Sequence, residues 1–114
     1  MNFTSREQSK VLVGLGLEPS TCDFCYEEKA EKPIPFENEL PKGATPCWSC
    51  ERLLELLPME IKLGGNVWKF SILTQNEDKM YVLTYSFGGN TFSKNSESLF
   101  CAAYDMLHDF LIYF

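Results

Sequence analysis

Long apolar runs are missing from this sequence. No stretch approaches the ~18 consecutive apolar residues that a bilayer-spanning helix needs. Residues 1–7 also lack the basic-then-apolar order of a secretory signal, so we expect a cytoplasmic protein that does not contact the membrane. The chain has 114 residues, of which 45% are hydrophobic and 23% charged. This length and composition predict one globular domain that spans residues 1–114.

Basic residues are few and scattered. Ten Lys and Arg oppose sixteen Asp and Glu, which gives a net charge of −6. Between Glu18 and Pro41, seven acidic residues stand against two lysines. Because affinity for nucleic acid comes from Lys and Arg that neutralise phosphates, we expect no nucleic-acid partner. The acidic stretch is either a solvated loop or a surface that meets a basic protein partner.

Catalytic patterns are also lacking. The one histidine, His108, lies in the last turns of a predicted helix, where the helix dipole favours a cation. No serine lies in a nucleophile-elbow context, and Gly14-x-Gly16 follows a helix and lacks the third glycine of a phosphate-binding loop. The sequence therefore predicts no enzyme.

Five cysteines are present, an odd number that does not suit a disulfide framework. Four of them form two Cys-x2-Cys pairs separated by 21 residues: Cys22, Cys25, Cys47 and Cys50. Two such pairs can place four thiolates around one ion, although the separation slightly exceeds the common range for structural zinc. One structural Zn²⁺ is therefore a candidate cofactor.

Two alternatives to zinc stay open. The four thiols can be buried, uncoordinated packing groups, since Cys50 shares a helical stripe with Leu53 and Leu57. Thiol-redox chemistry is the other alternative, because Cys47 and Cys50 lie at a helix N-terminus, which lowers a thiol pKa. The segment before Cys47 reads as a loop, however, whereas a thioredoxin-like site follows a buried strand. Cys101 is interpreted as ordinary helix packing.

The first half of the chain predicts two helices and an irregular excursion. The first helix is predicted to begin at Thr4 with Glu7 in a capping box, and to end at Gly14 or Gly16. Residues 18–46 hold five of the six prolines and predict a short strand near residues 22–26 and an irregular return through 34–36. A second helix is predicted for residues 49–57, stopped by Pro58.

The second half predicts a β-meander and a helix. Apolar residues alternate at positions 61 and 63, then at 68, 70 and 72, and then at 81, 83, 85 and 87, with turns at 64–66 and 76–78. Residues 91–93 predict a short edge strand. The last helix is predicted to start near Ser96, and its broad apolar face must lie across the sheet. The predicted fold class is α+β: a small antiparallel meander of three to five strands with about three helices.

Three segments together resemble a family of small uncharacterised proteins from Bacteroidetes genomes and their phages and mobile elements. They are residues 2–23, the Trp-Ser-x-x-x-Leu-Leu-x-Leu-Leu-Pro segment at 48–58, and Ala102–Leu107. The resemblance implies a small phage-type or mobile-element protein and no known activity. It also implies that the family often has cysteine at positions 25 and 47 and more often small or aliphatic residues at positions 22 and 50, so a four-cysteine site would belong to a subset of its members.

The expected function is therefore non-enzymatic and works through contact with a protein partner. The alternative is a small structural-zinc module with a regulatory binding role, and a thiol-redox protein is a further alternative.

Overall fold

The computed structural model describes residues 2–36, 39–73 and 80–113. These residues form helices, one 3₁₀ turn and short strands in the following chain order: α1 (Arg6–Gly14), the 3₁₀ turn (Pro19–Thr21), β1 (Phe24–Tyr26), β2 (Ile34–Pro35), β3 (Thr45–Cys47), α2 (Cys50–Leu56), β4 (Glu60–Leu63), β5 (Asn66–Leu73), β6 (Tyr81–Phe87), β7 (Asn90–Ser96) and α3 (Leu99–Tyr113). Among the described helices, none has both the length and the apolar character needed to cross a bilayer.

The strands form two antiparallel sheets. A three-stranded sheet has the order β2-β1-β3, and a four-stranded sheet has the order β4-β5-β6-β7. Helix α3 packs on β6 and β7 and also against α2. The predicted α+β class, the meander and the C-terminal helix across the sheet are confirmed.

The larger sheet follows the predicted two-residue alternation. Phe70 lies opposite Tyr85 and Ile72 opposite Leu83, so these side chains share one face. The other face carries polar residues such as Lys69 and Ser71 and is exposed to solvent. Strands β4 and β5 are joined by Gly64 and Gly65, which have φ angles of 61° and 80° and so suit a tight hairpin turn. The predicted turn at 76–78 lies outside the described residues.

Helix α3 supplies one side of the core. The buried residues of this helix are Phe100, Ala102, Ala103, Met106 and Leu107. They pack with Leu83 and Tyr85 of the sheet and with Leu53 of α2. Cys101 lies on the opposite side of α3 and is exposed, so its interpretation as a packing residue is wrong.

The three-stranded sheet is not predicted from sequence. β1 occupies part of the predicted strand near 22–26, whereas residues 34–35 form a strand and not an irregular return. Residues 45–47 pair with β1 although a loop was expected there. Their proline content hides these short edge strands, because proline signals a break in most sequence patterns yet is tolerated at a sheet edge.

Helix boundaries differ from prediction at two N-termini. Ser5, not Thr4, caps α1: it accepts a hydrogen bond from the Gln8 amide, and the Gln8 side chain accepts one from the Ser5 amide. Thr4 is buried and bonded elsewhere, so it cannot serve as the cap. Helix α3 begins at Leu99 because β7 extends as far as Ser96. The bounds of α2 agree with prediction, with Ser49 as its N-cap.

Candidate functional site

A buried polar network joins the N-terminus to the segment before α2. Thr4 is fully buried, and its hydroxyl lies 2.8 Å from the Ser9 hydroxyl and accepts the Trp48 amide at 3.0 Å. The Thr4 carbonyl accepts the Tyr26 hydroxyl at 2.8 Å and the Cys47 thiol at 3.4 Å. Since each of these polar atoms has a hydrogen-bond partner, the network fixes the chain positions around the cysteines at little cost in buried polarity.

Asp23 ties the first cysteine pair to the second. Its carboxylate accepts the Ser49 amide at 2.9 Å and also the Ser49 hydroxyl. Arg52 of α2 then donates to the Thr21 carbonyl at 2.7 Å. Residues 21–23 are thereby held against the start of α2 by polar contacts, a role that the zinc ion was expected to fill.

The four predicted metal ligands lie in one region but do not converge. Cys22, Cys25 and Cys47 are buried, and Cys50 is half-buried in the first turn of α2. Cys47 lies opposite Phe24 in the sheet, whereas Cys25 lies opposite Pro46. Because neighbouring residues on a strand point to opposite faces, Cys25 and Cys47 face opposite sides of the small sheet.

This register does not fit a tetrahedral shell of four sulfurs. In the described residues, no group of three or more His, Cys, Asp or Glu side chains is arranged to hold a metal ion. Zinc binding at Cys22, Cys25, Cys47 and Cys50 would need a rearrangement of β1 against β3. The zinc site stays a prediction that metal analysis can decide.

The electrostatic environment of these thiols favours the protonated form. Burial raises the pKa of Cys47 to about 11, and burial is also the largest cause that raises the pKa of Cys22, Cys25 and Cys50. A thiol needs a lowered pKa to act as a nucleophile near neutral pH. The arrangement therefore gives no support to thiol-redox chemistry at these positions.

His108 contacts its neighbour on α3. Its Nδ1 atom lies 3.2 Å from the Asp109 carboxylate, whose other oxygen pairs with Lys94 of β7. The pair of Lys94 and Asp109 joins α3 to the sheet, and His108 supports the Asp109 carboxylate. This arrangement agrees with a structural role for the histidine.

An apolar groove opens on the larger sheet where α3 ends. It has a volume of about 370 Å³, and its lining residues are Ile61, Leu63, Trp68, Tyr85, Phe92 and Tyr113. α3 packs on β6 and β7 and leaves the β4–β5 hairpin less covered, so Leu63 remains 46% exposed and Tyr113 69% exposed. The Tyr85 hydroxyl donates a hydrogen bond to the Pro58 carbonyl, and burial raises its pKa. This hydroxyl is therefore poorly suited to act as a general acid or base.

A second cleft continues this groove along the outer edge of β4. It measures about 460 Å³ and shares Ile61, Leu63 and Tyr113 with the groove, while Phe110 of α3 forms its far side. We call the two together the β4 surface, defined by Ile61, Leu63, Trp68, Phe110 and Tyr113. Exposed apolar residues are unremarkable singly, but a contiguous apolar concavity is typical of an interaction site.

Trp68 adds an unsatisfied donor to the wall of the β4 surface. Its Nε1 atom is buried and has no hydrogen-bond partner in the part of the chain that the structure describes. A buried donor without an acceptor costs about 1–3 kcal/mol relative to a satisfied one.

The sequence indicated these residues as one face of a sheet but not as a site. Two signals could have found it: apolar residues at the end of an outer strand, and no proline within that strand. Comparisons with protein-family models, with curated proteins and with solved structures found no match to this chain.

Proposed function

We propose that this protein acts without catalysis and that its β4 surface is the docking site for another protein chain. The observation that carries the proposal is the open apolar concavity of Ile61, Leu63, Trp68 and Tyr113 beside an outer strand. A protein segment suits this place, because it brings apolar side chains for the groove and main-chain groups for the strand edge.

The chemistry of the groove supports a binding role over an enzymatic one. The hydroxyl groups in the groove belong to Tyr85 and Tyr113, and that of Tyr85 is already bonded to a main-chain carbonyl. Among the described residues, no histidine, cysteine or carboxylate lines this groove. General acid–base and nucleophilic catalysis most often use such a group in contact with the substrate.

The setting that we propose is the cytoplasm, with no nucleic-acid partner. All five cysteines are free, which suits a reducing compartment, and the net charge of −6 opposes binding to phosphate backbones. The resemblance of residues 48–58 to small phage and mobile-element proteins supports a role in contact with another protein.

Site-specific photo-crosslinking tests the docking site. A photoreactive amino acid replaces Leu63 on the β4 surface in one variant and Ser71, exposed on the opposite face of the sheet, in the matched control. We expect discrete protein adducts in cells from position 63 and none from position 71, and mass spectrometry identifies the crosslinked chain. Equal labelling from both positions, or none from position 63, would contradict the proposal.

A further inference from the structure

Within the part of the chain that the structure describes, the outer edge of β4 has unpaired main-chain groups at two positions. The amide of Phe70 donates to the Met59 carbonyl at 2.9 Å, so residues 59 and 70 form a hydrogen-bonded pair. In an antiparallel ladder, such pairs alternate with pairs that share no hydrogen bond. The pair Ile61–Trp68 is therefore hydrogen-bonded. The pairs on either side of it, Glu60–Lys69 and Lys62–Val67, are not. The amide and carbonyl groups of Glu60 and Lys62 therefore point outward from the sheet.

The other outer strands of the described sheets are protected. β2 contains Pro35 and β3 contains Pro46, and a proline cannot donate to an added strand. β7 lies beside α3, and its Lys94 turns toward the helix to pair with Asp109. A charged residue on the covered face is a known way to keep an edge from pairing. β4 contains no proline, and its covered face carries Ile61 and Leu63 and no charged residue.

We propose that the occupant of the β4 surface is a second copy of this chain, bound by antiparallel pairing of the two β4 strands about a two-fold axis at Ile61. This inference rests on the proposed docking function and names its partner. The two four-stranded sheets would join into one continuous sheet across the dimer.

Charge complementarity selects both the partner and the register. With the axis at Ile61, Glu60 of each copy lies opposite Lys62 of the other, and both residues expose the outward groups that the new ladder needs. An axis at Glu60 would place Glu opposite Glu and would use Pro58, which has no amide hydrogen. An axis at Lys62 would place Lys opposite Lys. Like charges directly opposite each other are destabilising, so the two-fold at Ile61 is favoured.

The same register fills the cleft with exposed apolar side chains. Met59 is 71% exposed in the single chain, and the axis at Ile61 places it opposite Leu63 of the second copy, which is 46% exposed. The cleft of about 460 Å³ between Leu63 and Tyr113 would then receive the methionine, a side chain that adapts to irregular spaces. Two such contacts form, one on each side of the axis.

Sedimentation equilibrium over a range of protein concentrations tests the proposal. We expect the wild-type mass to rise from one chain to two as the concentration increases. Lys62→Glu makes both new cross-strand pairs Glu–Glu, and Glu60→Lys makes both Lys–Lys. Each change should weaken the dimer on the order of tenfold. The matched control is Lys10→Glu, which makes the same charge change on exposed α1 and should leave the dimer unchanged.

Mixing the two variants gives the sharpest outcome. Lys62→Glu mixed with Glu60→Lys should form a heterodimer about as tight as wild type, because each Glu then meets a Lys. The double variant Glu60→Lys/Lys62→Glu should likewise recover the homodimer. Thermal melts establish that each variant is folded. Glu60→Lys places a lysine opposite Lys69 of β5 and could prevent folding. In that case Lys62→Pro is used in its place. Proline at position 62 removes one outward amide and leaves the hydrogen bonds between β4 and β5 intact.

Three results would overturn the proposal: a wild-type chain that stays monomeric at every concentration, single variants no weaker than Lys10→Glu, or a mixture no tighter than its components. The wider docking function is judged separately by the crosslink from position 63. A monomeric protein that still crosslinks to a different chain there would refute the self-association alone.

Discussion

The two sheets of this protein are held in place by different forces. The small sheet consists of strands of two or three residues, and buried hydrogen bonds around Thr4 and partly buried ones at Asp23 fasten it to α1 and α2. The large sheet has strands of four to eight residues, which apolar packing joins to α3. Short strands bury little apolar area, so their position depends on individual polar groups. In the large sheet, apolar side chains such as Leu83 and Phe70 supply most of the contacts with the helices.

Removal of α3 should break both regions at once. Truncation after Asn95 deletes the buried side chains Phe100, Met106 and Leu107, which contact both the large sheet and α2. Each buried apolar side chain of this size contributes about 1.5–3 kcal/mol, against a total stability of about 5–15 kcal/mol. We expect a molten or aggregating chain in a thermal melt followed by near-UV circular dichroism. A cooperative, native-like transition of the truncated chain would refute the role assigned to α3.

Loss of a hydroxyl should destabilise the protein more beside the small sheet, in Thr4→Val, than in the large sheet. The change keeps the side-chain shape but leaves the buried Trp48 amide without its acceptor, which should lower the free energy of unfolding by about 1–3 kcal/mol. Thr84→Val in the large sheet removes a hydroxyl that bonds Ser93 on the exposed face and should change it by less than about 0.5 kcal/mol. Chemical denaturation measures both variants. Equal effects would show that the polar network around Thr4 is not what fastens the small sheet.

Thr4→Ser is the matched control for this pair. It retains the hydroxyl and loses one methyl group, so it should recover most of the stability that Thr4→Val loses. A loss as large as that of valine would trace the effect to packing of the methyl group and not to the hydrogen bond.

The contact between Lys94 and Asp109 should give a small pH dependence. Burial alone would raise the pKa of Asp109, but hydrogen bonds from Lys94 and His108 outweigh it and lower that pKa. A carboxylate with a lowered pKa adds stability above its unfolded pKa and loses it as the pH falls through its folded value. Because both side chains are partly exposed, we expect about 0.2–1 kcal/mol.

Acid titration of stability checks this contact. Asp109→Asn should flatten the loss of stability below the ordinary Asp pKa of ~3.9, whereas the matched change Asp105→Asn on the exposed side of α3 should not. If the free energy of unfolding depends on pH identically in wild type and Asp109→Asn, the contact between Lys94 and Asp109 does not contribute to stability.

The smallest expected effect is that of metal removal on the small sheet. Cys25 and Cys47 face opposite sides of that sheet, so we expect less than stoichiometric zinc in protein purified without a metal-affinity tag, and an unchanged melt in EDTA. About one zinc per chain, with a lower melting temperature in EDTA, would restore the four-cysteine site. It would also show that β1 and β3 rearrange around the ion.

The same contrast explains what the sequence could predict. In the large sheet, alternation at Trp68, Phe70 and Leu83 and the apolar face of α3 are strong local patterns, and the meander and its helix follow from them. In the small sheet, β3 contains Pro46, and the pairing depends on long-range hydrogen bonds such as that between Thr4 and Trp48. No local pattern records such contacts, so both this sheet and the correct cap of α1 were missed.

The candidate site was missed for a related reason. The spacing of the cysteines predicted a metal site, because two Cys-x2-Cys pairs can bind one ion when the fold brings them together. Whether two cysteines share a face depends on strand register, which spacing does not show. The free edge at Glu60 and Lys62 appears only after the order of the strands is known.

Amide hydrogen exchange of β4 measures self-association through this strand edge residue by residue. The Ile61 amide bonds to β5 within one chain and should be protected at every protein concentration. The outward amides of Glu60 and Lys62 should exchange rapidly in dilute protein and become protected as the concentration rises. Exchange at Glu60 and Lys62 that stays equally fast at every concentration would contradict the account.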